Sequence, residues 1–410
     1  MIAEVSYHGN AINAEIKLPS SKSISNRVLI VHALGNLQSE IQNLSEANDT
    51  LQLEAALASQ DEEVNAGDGG TTLRFLMAYY CASGKEVILT ASEAMRKRPV
   101  SLLVDSLRLL GASIEYIQEE GKLPVRISRS SLTGKKIEID GAVSSQFISA
   151  LMLIAPYIPG GITIEITGEM LSLPYIQMTQ SVMQYFGAKV SFENTLIKVE
   201  EGKYTGKEIS IEPDWSAASY WYEIAAVNTH AVISLPGLTG KSLQGDSAIS
   251  NMMDQLGVKT EFNDAGATIS NNALMTLPDY FSDDFSGCPD LGPAVAATCA
   301  ALNIKADLFG LKNFRLKESD RAAALQRELY NMNVKTDFCG GSKFKLYPGD
   351  GLRKYLRPVK TYHDHRIAMT FAPLAIKTGM VIIDDCEVVN KSYPGFYSDL
   401  EKAGFFVIFR

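Results

Sequence analysis

SVMQYFGAKVSF, residues 181–192, changes its periodicity at its centre. Up to Phe186 the apolar residues Val182, Met183 and Phe186 recur at helical spacing. Beyond Gly187 they alternate, as Ala188, Val190 and Phe192, in the manner of a strand with one face covered. The glycine falls where the last turn of a helix needs a left-handed residue, a conformation open to glycine without steric penalty. The stretch therefore predicts a helix closed at Gly187 and followed at once by a strand. The same arrangement returns at Gly111 in LLVDSLRLLGASIEYI, at Gly257 in NMMDQLGVKTEF, at Asn333 in ELYNMNVKTDF and at Gly404 in DLEKAGFFVIF. Roughly 70–76 residues separate neighbouring caps, the period of a repeated supersecondary unit.

Each copy carries a second helix that opens on a polar cluster: SSQFISALMLIAPY, PDWSAASYWYEIAAV, KESDRAAALQREL and YHDHRIAMTFAPLAI. A worn copy is expected around Leu51–Ser59, where the chain is short. About six mixed α/β units fit the 410 residues, which exceed one ordinary core, so two globular lobes of three units each are expected. Helices this apolar are expected to be buried.

Composition narrows the function. Apolar residues make up 46% and charged residues 21%, as in a soluble globular protein. A net charge of −9 and a pI near 5.3 argue against a nucleic-acid or anionic-membrane partner while leaving room for a local basic pocket. The start MIAEVSYHGN lacks the pattern of a secretory leader, and no uninterrupted apolar stretch is long enough for a bilayer. Cys81, Cys288, Cys299, Cys339 and Cys386 are scattered, odd in number and away from metal-ligand spacing. Reduced thiols and a cytoplasmic location are the expectation.

One feature of the helix starts is electrostatically odd. SSKSISNR, GDGGTTLR, KESDR and HDHR all open helices, with Ser21 or Ser23 as the cap of the first, and all place Lys or Arg at that end. A helix N-terminus already carries partial positive charge, so each such cation costs about 0.3–1 kcal/mol when exposed. An anion bound by the free backbone N–H groups would offset this. Several N-termini converging on one strongly anionic ligand is the inference. Taken singly, the clusters allow plainer readings. RKRP (Arg96–Pro99) also reads as a solvated loop, Ser144, Ser145 and Asp214 as caps, and Asp320 and Asp364 as offsets for Arg321 and Arg366. His363 and His365 lack a third ligand at a telling spacing, so no metal is expected. Asp290 and Glu318 fit proton transfer and ion pairing equally well.

Taken together and in order, the clusters resemble one family, the 3-phosphoshikimate 1-carboxyvinyltransferases, also called 5-enolpyruvylshikimate-3-phosphate synthases. The motifs are SKSISNR ending at Arg27, GGTTLR at 69–74, RKRP at 96–99, SSQ at 144–146, SLPY at 172–175, PDLGPAVAA at 289–297, KESDR at 317–321, DHR at 364–366 and KSYPGF at 391–396. The resemblance implies an α/β fold: a two-domain inside-out barrel of about six βαβαββ units, helix N-termini turned to the cleft between domains that close on substrate. One lobe would comprise residues 1–20 plus 212–410 and the other 21–211, with a shortened first unit.

The implied reaction moves the enolpyruvyl group of phosphoenolpyruvate to the 5-hydroxyl of shikimate 3-phosphate and releases phosphate through a tetrahedral intermediate. By the same resemblance, Lys22, Ser23 and Arg27 would meet shikimate 3-phosphate, with Ser144, Ser145 and Ser172 on its phosphate. Gln146 would lie between the substrates, and Tyr175, Asn313 and Lys317 would complete that pocket. Arg98, Lys391 and the backbone at Gly70 would grip the phosphate of phosphoenolpyruvate, and Arg321 and Arg366 its carboxylate. Asp290 would be the base for the 5-hydroxyl and Glu318 the acid toward C3, assisted by Lys22. Arg74 and His365 are further candidates. No cofactor, nucleic acid or membrane is implied, and a monomer is expected.

This sequence departs from the family in two places. Asp68-Gly69-Gly70 stands where Asn-Ala-Gly or Asn-Ser-Gly is usual, just after an upstream Asn65-Ala66-Gly67, and the segment from Asp49 to Gly67 is short. Two other readings remain: UDP-N-acetylglucosamine enolpyruvyl transferase, which needs a cysteine that SEAMRKRP lacks, and a non-catalytic anion-binding homologue.

Overall fold

The computed structural model describes residues 1–142 and 144–410. The chain divides into two units: Met1–Pro19 with Glu212–Arg410, and Ser20–Ile211.

The repeat is visible in the sheets. Among the described residues, four four-stranded sheets share one plan: two parallel strands, then two antiparallel strands that close as a hairpin. Glu63–Asn65 lies parallel to Val87–Thr90, which pairs with Val125–Ser128, which pairs with Ser113–Tyr116. Lys136–Asp140, Ile162–Thr167, Leu196–Val199 and Val190–Glu193 repeat that order. In the other unit so do Tyr280–Asp284, Lys305–Phe309, Lys343–Pro348 and Val334–Cys339. There too, Ile12–Glu15 runs parallel to Ala231–Pro236, across the whole excursion of the chain through the Ser20–Ile211 unit. Each parallel pair needs a crossover, and a buried helix supplies it.

Two sheets depart from the plan. In one, the N-terminal strand Ala3–Ser6 fills the place of a hairpin strand, with Ala3 opposite both Ile383 and Phe409. In the other, Ile41–Gln42 and Ile209–Ser210 form a parallel two-strand pair. The helix Asn48–Ala58 that follows runs almost directly into Glu63, so no hairpin intervenes there.

The predicted caps hold the helix-to-strand turns. Gly111, Gly187, Gly257, Asn333 and Gly404 have φ of 104°, 89°, 83°, 73° and 89°. A β-branched residue at any of them would be strained.

Within each unit the helices lie inside and the sheets outside; Lys136–Asp140, for example, alternates exposed and buried residues along its length. Apolar helices fill each core. In one unit they include Lys22–Gly35, Gly70–Ser83, Ser145–Ile154 and Leu173–Tyr185; in the other, Trp215–Val227, Gly292–Ala301 and His365–Phe371. Ser145–Ile154 buries every residue except Gln146, and Trp215–Val227 every residue except Ser216. Both exceptions stand in the first turn. A helix apolar on all sides leaves only its ends for chemistry, and here the N-terminal ends carry it. Among the described residues no helix is long and apolar enough to cross a membrane.

Candidate active site

In the Ser20–Ile211 unit two buried helices carry Lys22, Arg27 and Arg74 toward their N-terminal ends, and Arg98 lies beside Gly70. Ser21 stands at the N-cap of Lys22–Gly35 but makes no side-chain capping bond. Lys22 Nζ is held 2.8 Å from Asp49 Oδ2, on the first turn of the next helix. Arg27, one helical turn further along, is 2% exposed. Its Nε donates to Thr179 Oγ1 at 2.7 Å and its Nη1 to the Ser23 carbonyl at 2.7 Å. Its Nη2 reaches Ser149 Oγ at 3.3 Å and the Tyr175 carbonyl at 3.2 Å. The rings of Phe75 and Tyr175 lie 5.4 and 6.0 Å from its guanidinium. All these partners are neutral. Burial pushes the Arg27 guanidinium down to about 10, with Tyr175 acting against it. A buried cation with only neutral neighbours favours an anionic ligand.

Beside it, Gly69 caps the Gly70–Ser83 helix. A Cβ on Gly70 would meet Arg74 Nη1 at 2.6 Å, Arg98 Nη1 at 3.2 Å and Gln146 Oε1 at 3.3 Å, so the missing side chain is what lets three polar groups close in on that backbone. Arg74 Nη1 is fixed by the Gly70 carbonyl at 2.8 Å and Gln146 Oε1 at 2.9 Å. Asp68 is exposed, while Gly69 and Gly70 are buried. Ser144 Oγ accepts the Gln146 N–H, and Ser145 begins the helix. Ser172 has φ 57° and ψ 36°, a costly backbone for serine, and caps Leu173–Tyr185 without a side-chain bond. Its hydroxyl is thus not spent on the helix.

The other unit gathers charges of both signs. Arg321, 1% exposed, sends Nε to Asp364 Oδ2, Nη1 to Asp290 Oδ1 and Nη2 to Glu318 Oε2, each at 2.7 Å. Burial alone would lower its pKa, but Asp364, Glu318 and Asp290 raise it well beyond the usual range. Asp290 also meets Lys317 Nζ at 3.2 Å and Arg366 Nη2 at 2.9 Å. Burial works to raise the Asp290 carboxyl, yet Arg366, Lys317 and Arg321 outweigh it and hold the group well below the carboxylate range. Lys391 Nζ lies 3.6 Å from Glu318 Oε1. His365 is 2% exposed, with Nδ1 3.8 Å from Asp364. Asn313 Oδ1 is buried without a hydrogen-bond partner. Among the described residues no group of three or more His, Cys, Asp or Glu is arranged to hold a metal ion.

In one unit Gly70, Arg74, Arg98 and Gln146 lie together, Arg27 meets Tyr175, and Lys22 meets Asp49; in the other, Asp290, Lys317, Glu318, Arg321, Arg366 and Lys391 are joined by contacts. Two local pairings read from the sequence are corrected. Asp320 does not answer Arg321: it caps the Arg321–Asn331 helix by accepting the Ala323 N–H, and its cation is Arg315 at 3.9 Å. Asp364 accepts the Arg366 backbone N–H, but its carboxylate serves Arg321, 43 residues away. Three participants went unnoticed in the sequence. Asp49 carried a faint signal, an acid at a helix start. Ser216 and Asp246 carried none.

The comparisons with known proteins agree. The family model described as EPSP synthase (3-phosphoshikimate 1-carboxyvinyltransferase) matches residues 7–59 and 53–400. A protein from Bacteroides fragilis (strain YCH46), named 3-phosphoshikimate 1-carboxyvinyltransferase, is 42% identical over 400 residues, 96% of each chain. One of the same name from Sulfurovum sp. (strain NBC37-1) is 32% identical over 419 residues, covering 95% of this chain and 96% of that protein. A solved EPSP synthase from Acinetobacter baumannii aligns over 100% of both chains with a TM-score of 0.80; at 22% identity this speaks for the fold alone. With the motifs in order along almost the whole length, this chain belongs to the EPSP synthase family.

Proposed function

We propose that this protein transfers the enolpyruvyl group of phosphoenolpyruvate to the 5-hydroxyl of shikimate 3-phosphate, releasing phosphate, in the shikimate route to aromatic amino acids. The observation that carries the reading is the collection of Lys22, Arg27, Arg74 and Arg98 in one unit, and of Lys317, Arg321, Arg366 and Lys391 around Asp290 and Glu318 in the other. Two reactants bearing two phosphates and two carboxylates call for that many cations.

Arg27, buried among neutral partners, is assigned the carboxylate of shikimate 3-phosphate, with Lys22 and Ser23 beside it. Ser144, Ser145 and Ser172 take its phosphate, and Gln146, Tyr175, Asn313 and Lys317 its remaining polar edge. Arg98, Lys22, Lys391 and the Gly70 N–H take the phosphate of phosphoenolpyruvate, while Arg321 and Arg366 pair with its carboxylate in the bidentate manner that suits guanidinium.

Asp290 is assigned the 5-hydroxyl proton. A carboxylate held so far down is a poor base. When the substrate carboxylate occupies Arg321 and Arg366, two of the three cations that depress Asp290 are neutralised, and its basicity rises as the reactant arrives. Glu318 delivers a proton to C3 as the hydroxyl oxygen bonds to C2. A C3 proton of the tetrahedral intermediate then returns to Glu318 as the C2–O bond to phosphate breaks, the C2=C3 double bond re-forms, and phosphate leaves against Lys22, Arg98 and Lys391. The cytoplasm as compartment rests on five unpaired cysteines, four of them buried; a monomer is proposed.

Phosphate release in the presence of each acceptor tests the reading. Release with phosphoenolpyruvate and shikimate 3-phosphate supports it, and release only with UDP-N-acetylglucosamine sinks it. So does binding of both reactants without release, which would mark a non-catalytic homologue. Gly70→Ala gives a sharper check. Its methyl displaces Arg74 and Arg98, and the KM for phosphoenolpyruvate is expected to rise about tenfold or more while that for shikimate 3-phosphate stays within about threefold.

A further inference from the structure

Asp246 is 3% exposed and has no assigned role, yet it stands one residue removed from the reacting groups. Its Oδ2 accepts the hydroxyl of Ser216, and its Oδ1 has no hydrogen-bond partner. Ser216 Oγ lies 3.3 Å from Arg366 Nη2, the same nitrogen that reaches Asp290 Oδ2 at 2.9 Å. Asp246, Ser216, Arg366 and Asp290 therefore form a continuous relay. The segment bearing Asp246 is tied down by Gln244, whose carboxamide accepts the Trp215 N–H at 3.1 Å and donates to Glu212 and to the Pro213 carbonyl, both at 2.8 Å. Tyr220 Oη, one turn after Ser216, lies 3.5 Å from Arg366 Nη1. The other unit has a parallel arrangement, in which Asp49 at the start of the following helix holds Lys22 at the start of a buried one.

A serine hydroxyl has one proton to place. With Asp246 ionised, that proton goes to Asp246, and the oxygen lone pairs face Arg366 as acceptors. With Asp246 protonated and itself donating, it takes up one of the two serine lone pairs, frees the serine proton from its fixed direction and removes the negative charge that strengthens that oxygen as an acceptor for the guanidinium. We propose that ionised Asp246 is a positioning residue: by taking the Ser216 proton it makes that oxygen an acceptor that orients Arg366 for the carboxylate of phosphoenolpyruvate. This rests on Arg366 being a carboxylate-binding group, as assigned above.

The charge state of Asp246 is poised to matter. Burial first, then the negative charge of Asp290, push its carboxyl up to about 6; Arg366 and the Ser216 hydrogen bond oppose the rise and Asp214 adds to it. The Cys288 thiol, also near Asp246, is itself pushed up, chiefly by burial, and stays neutral. The fixed acceptor orientation of Ser216 is therefore present above about pH 6 and weakened as pH falls through it.

Steady-state kinetics on the intact protein test this. Ser216→Ala and Asp246→Ala should each raise the KM for phosphoenolpyruvate about tenfold, leave that for shikimate 3-phosphate within about twofold, and give no added penalty when combined. Asp246→Asn keeps an acceptor but has no proton to gain. It should hold the KM within about threefold at neutral pH and abolish the inflection near pH 6 in kcat/KM for phosphoenolpyruvate. An inflection that survives in Asp246→Asn, additive alanine penalties, or equal rises in both KM values would overturn the relay. Near-ultraviolet circular dichroism checks folding; should the Asp246 variants not fold, Ser216→Ala, which deletes one hydroxyl, carries the same expectation. Arg366→Lys separates the two levels. A raised KM for phosphoenolpyruvate there with none in Ser216→Ala removes the relay alone, whereas an unchanged KM removes the assignment of Arg366 and the relay with it.

Discussion

Arg321→Met is expected to lower the unfolding free energy by about 3–5 kcal/mol and to abolish turnover, because it strands charges that one side chain now neutralises. Arg321 is 1% exposed and meets Asp364, Asp290 and Glu318 through three different nitrogens. Asp290 keeps Lys317 and Arg366, and Glu318 keeps Lys391. Asp364, fully buried, loses its guanidinium and retains only the Ser319 hydroxyl, the Arg366 N–H and the more distant His365. Most of the loss should therefore come from Asp364. Arg321→Lys should recover a minor part, since a point charge answers one carboxylate and not a planar set of three. Urea unfolding at neutral pH measures the effect, and a loss below about 1 kcal/mol would mean that the network adds little to stability. The pH dependence has a definite sign. Asp290 is depressed in the folded protein, so the stability it contributes is present above the unfolded carboxylate value near 3.9 and lost as pH falls through the folded one. The gap between wild type and variant should narrow in acid.

Asp290→Asn should reduce kcat by about 10²–10⁴ while both KM values move only a few-fold, the signature of a group whose contribution appears in the transition state. Glu318→Gln should behave likewise, since the amide can neither deliver nor regain a proton. Both replacements preserve shape, and each leaves its cationic partners free to bind substrate anions. Binding should therefore survive, and in Asp290→Asn it could tighten for the carboxylate of phosphoenolpyruvate. Rapid-mixing measurement of phosphate release with a separate binding titration distinguishes the two quantities. A fall in affinity as large as the fall in kcat would show Asp290 to be part of the scaffold and not a proton acceptor.

The fold was legible where local physics decides it. The caps at Gly111, Gly187, Gly257, Asn333 and Gly404 were readable because a helix end needs a left-handed residue, a requirement of one position. Their regular spacing gave the repeat. What the sequence did not disclose is which strands complete which sheet. Nothing in AEVS at Ala3–Ser6 says that it will lie between Met380–Ile383 and Phe406–Phe409. The candidate site divides along the same line. Cations at helix starts were conspicuous because they oppose the helix dipole, and that anomaly can be read without a structure. Their partners were not. Arg321 has an acid beside it in the chain, Asp320, and ignores it in favour of Asp364 because burial, not proximity in sequence, sets the demand for a counter-charge. Asp246 lies in GDSA, a stretch without periodicity or unusual charge, and only tertiary contact brings it to Ser216.

The strand Ala3–Ser6 also fixes an order of events during synthesis. Its neighbours on both sides lie beyond residue 379, and Ile2 and Arg410 exchange backbone hydrogen bonds at 2.9 Å. At ribosomal speeds of about 5–20 residues per second, this strand must wait roughly 20–80 s for the strands that will flank it. The contiguous stretch from Ser20 to Ile211 has no such delay and can mature while the remainder is still being translated. A nascent chain arrested near residue 370 should then show a protease-resistant fragment from that stretch and an unprotected Ala3–Ser6.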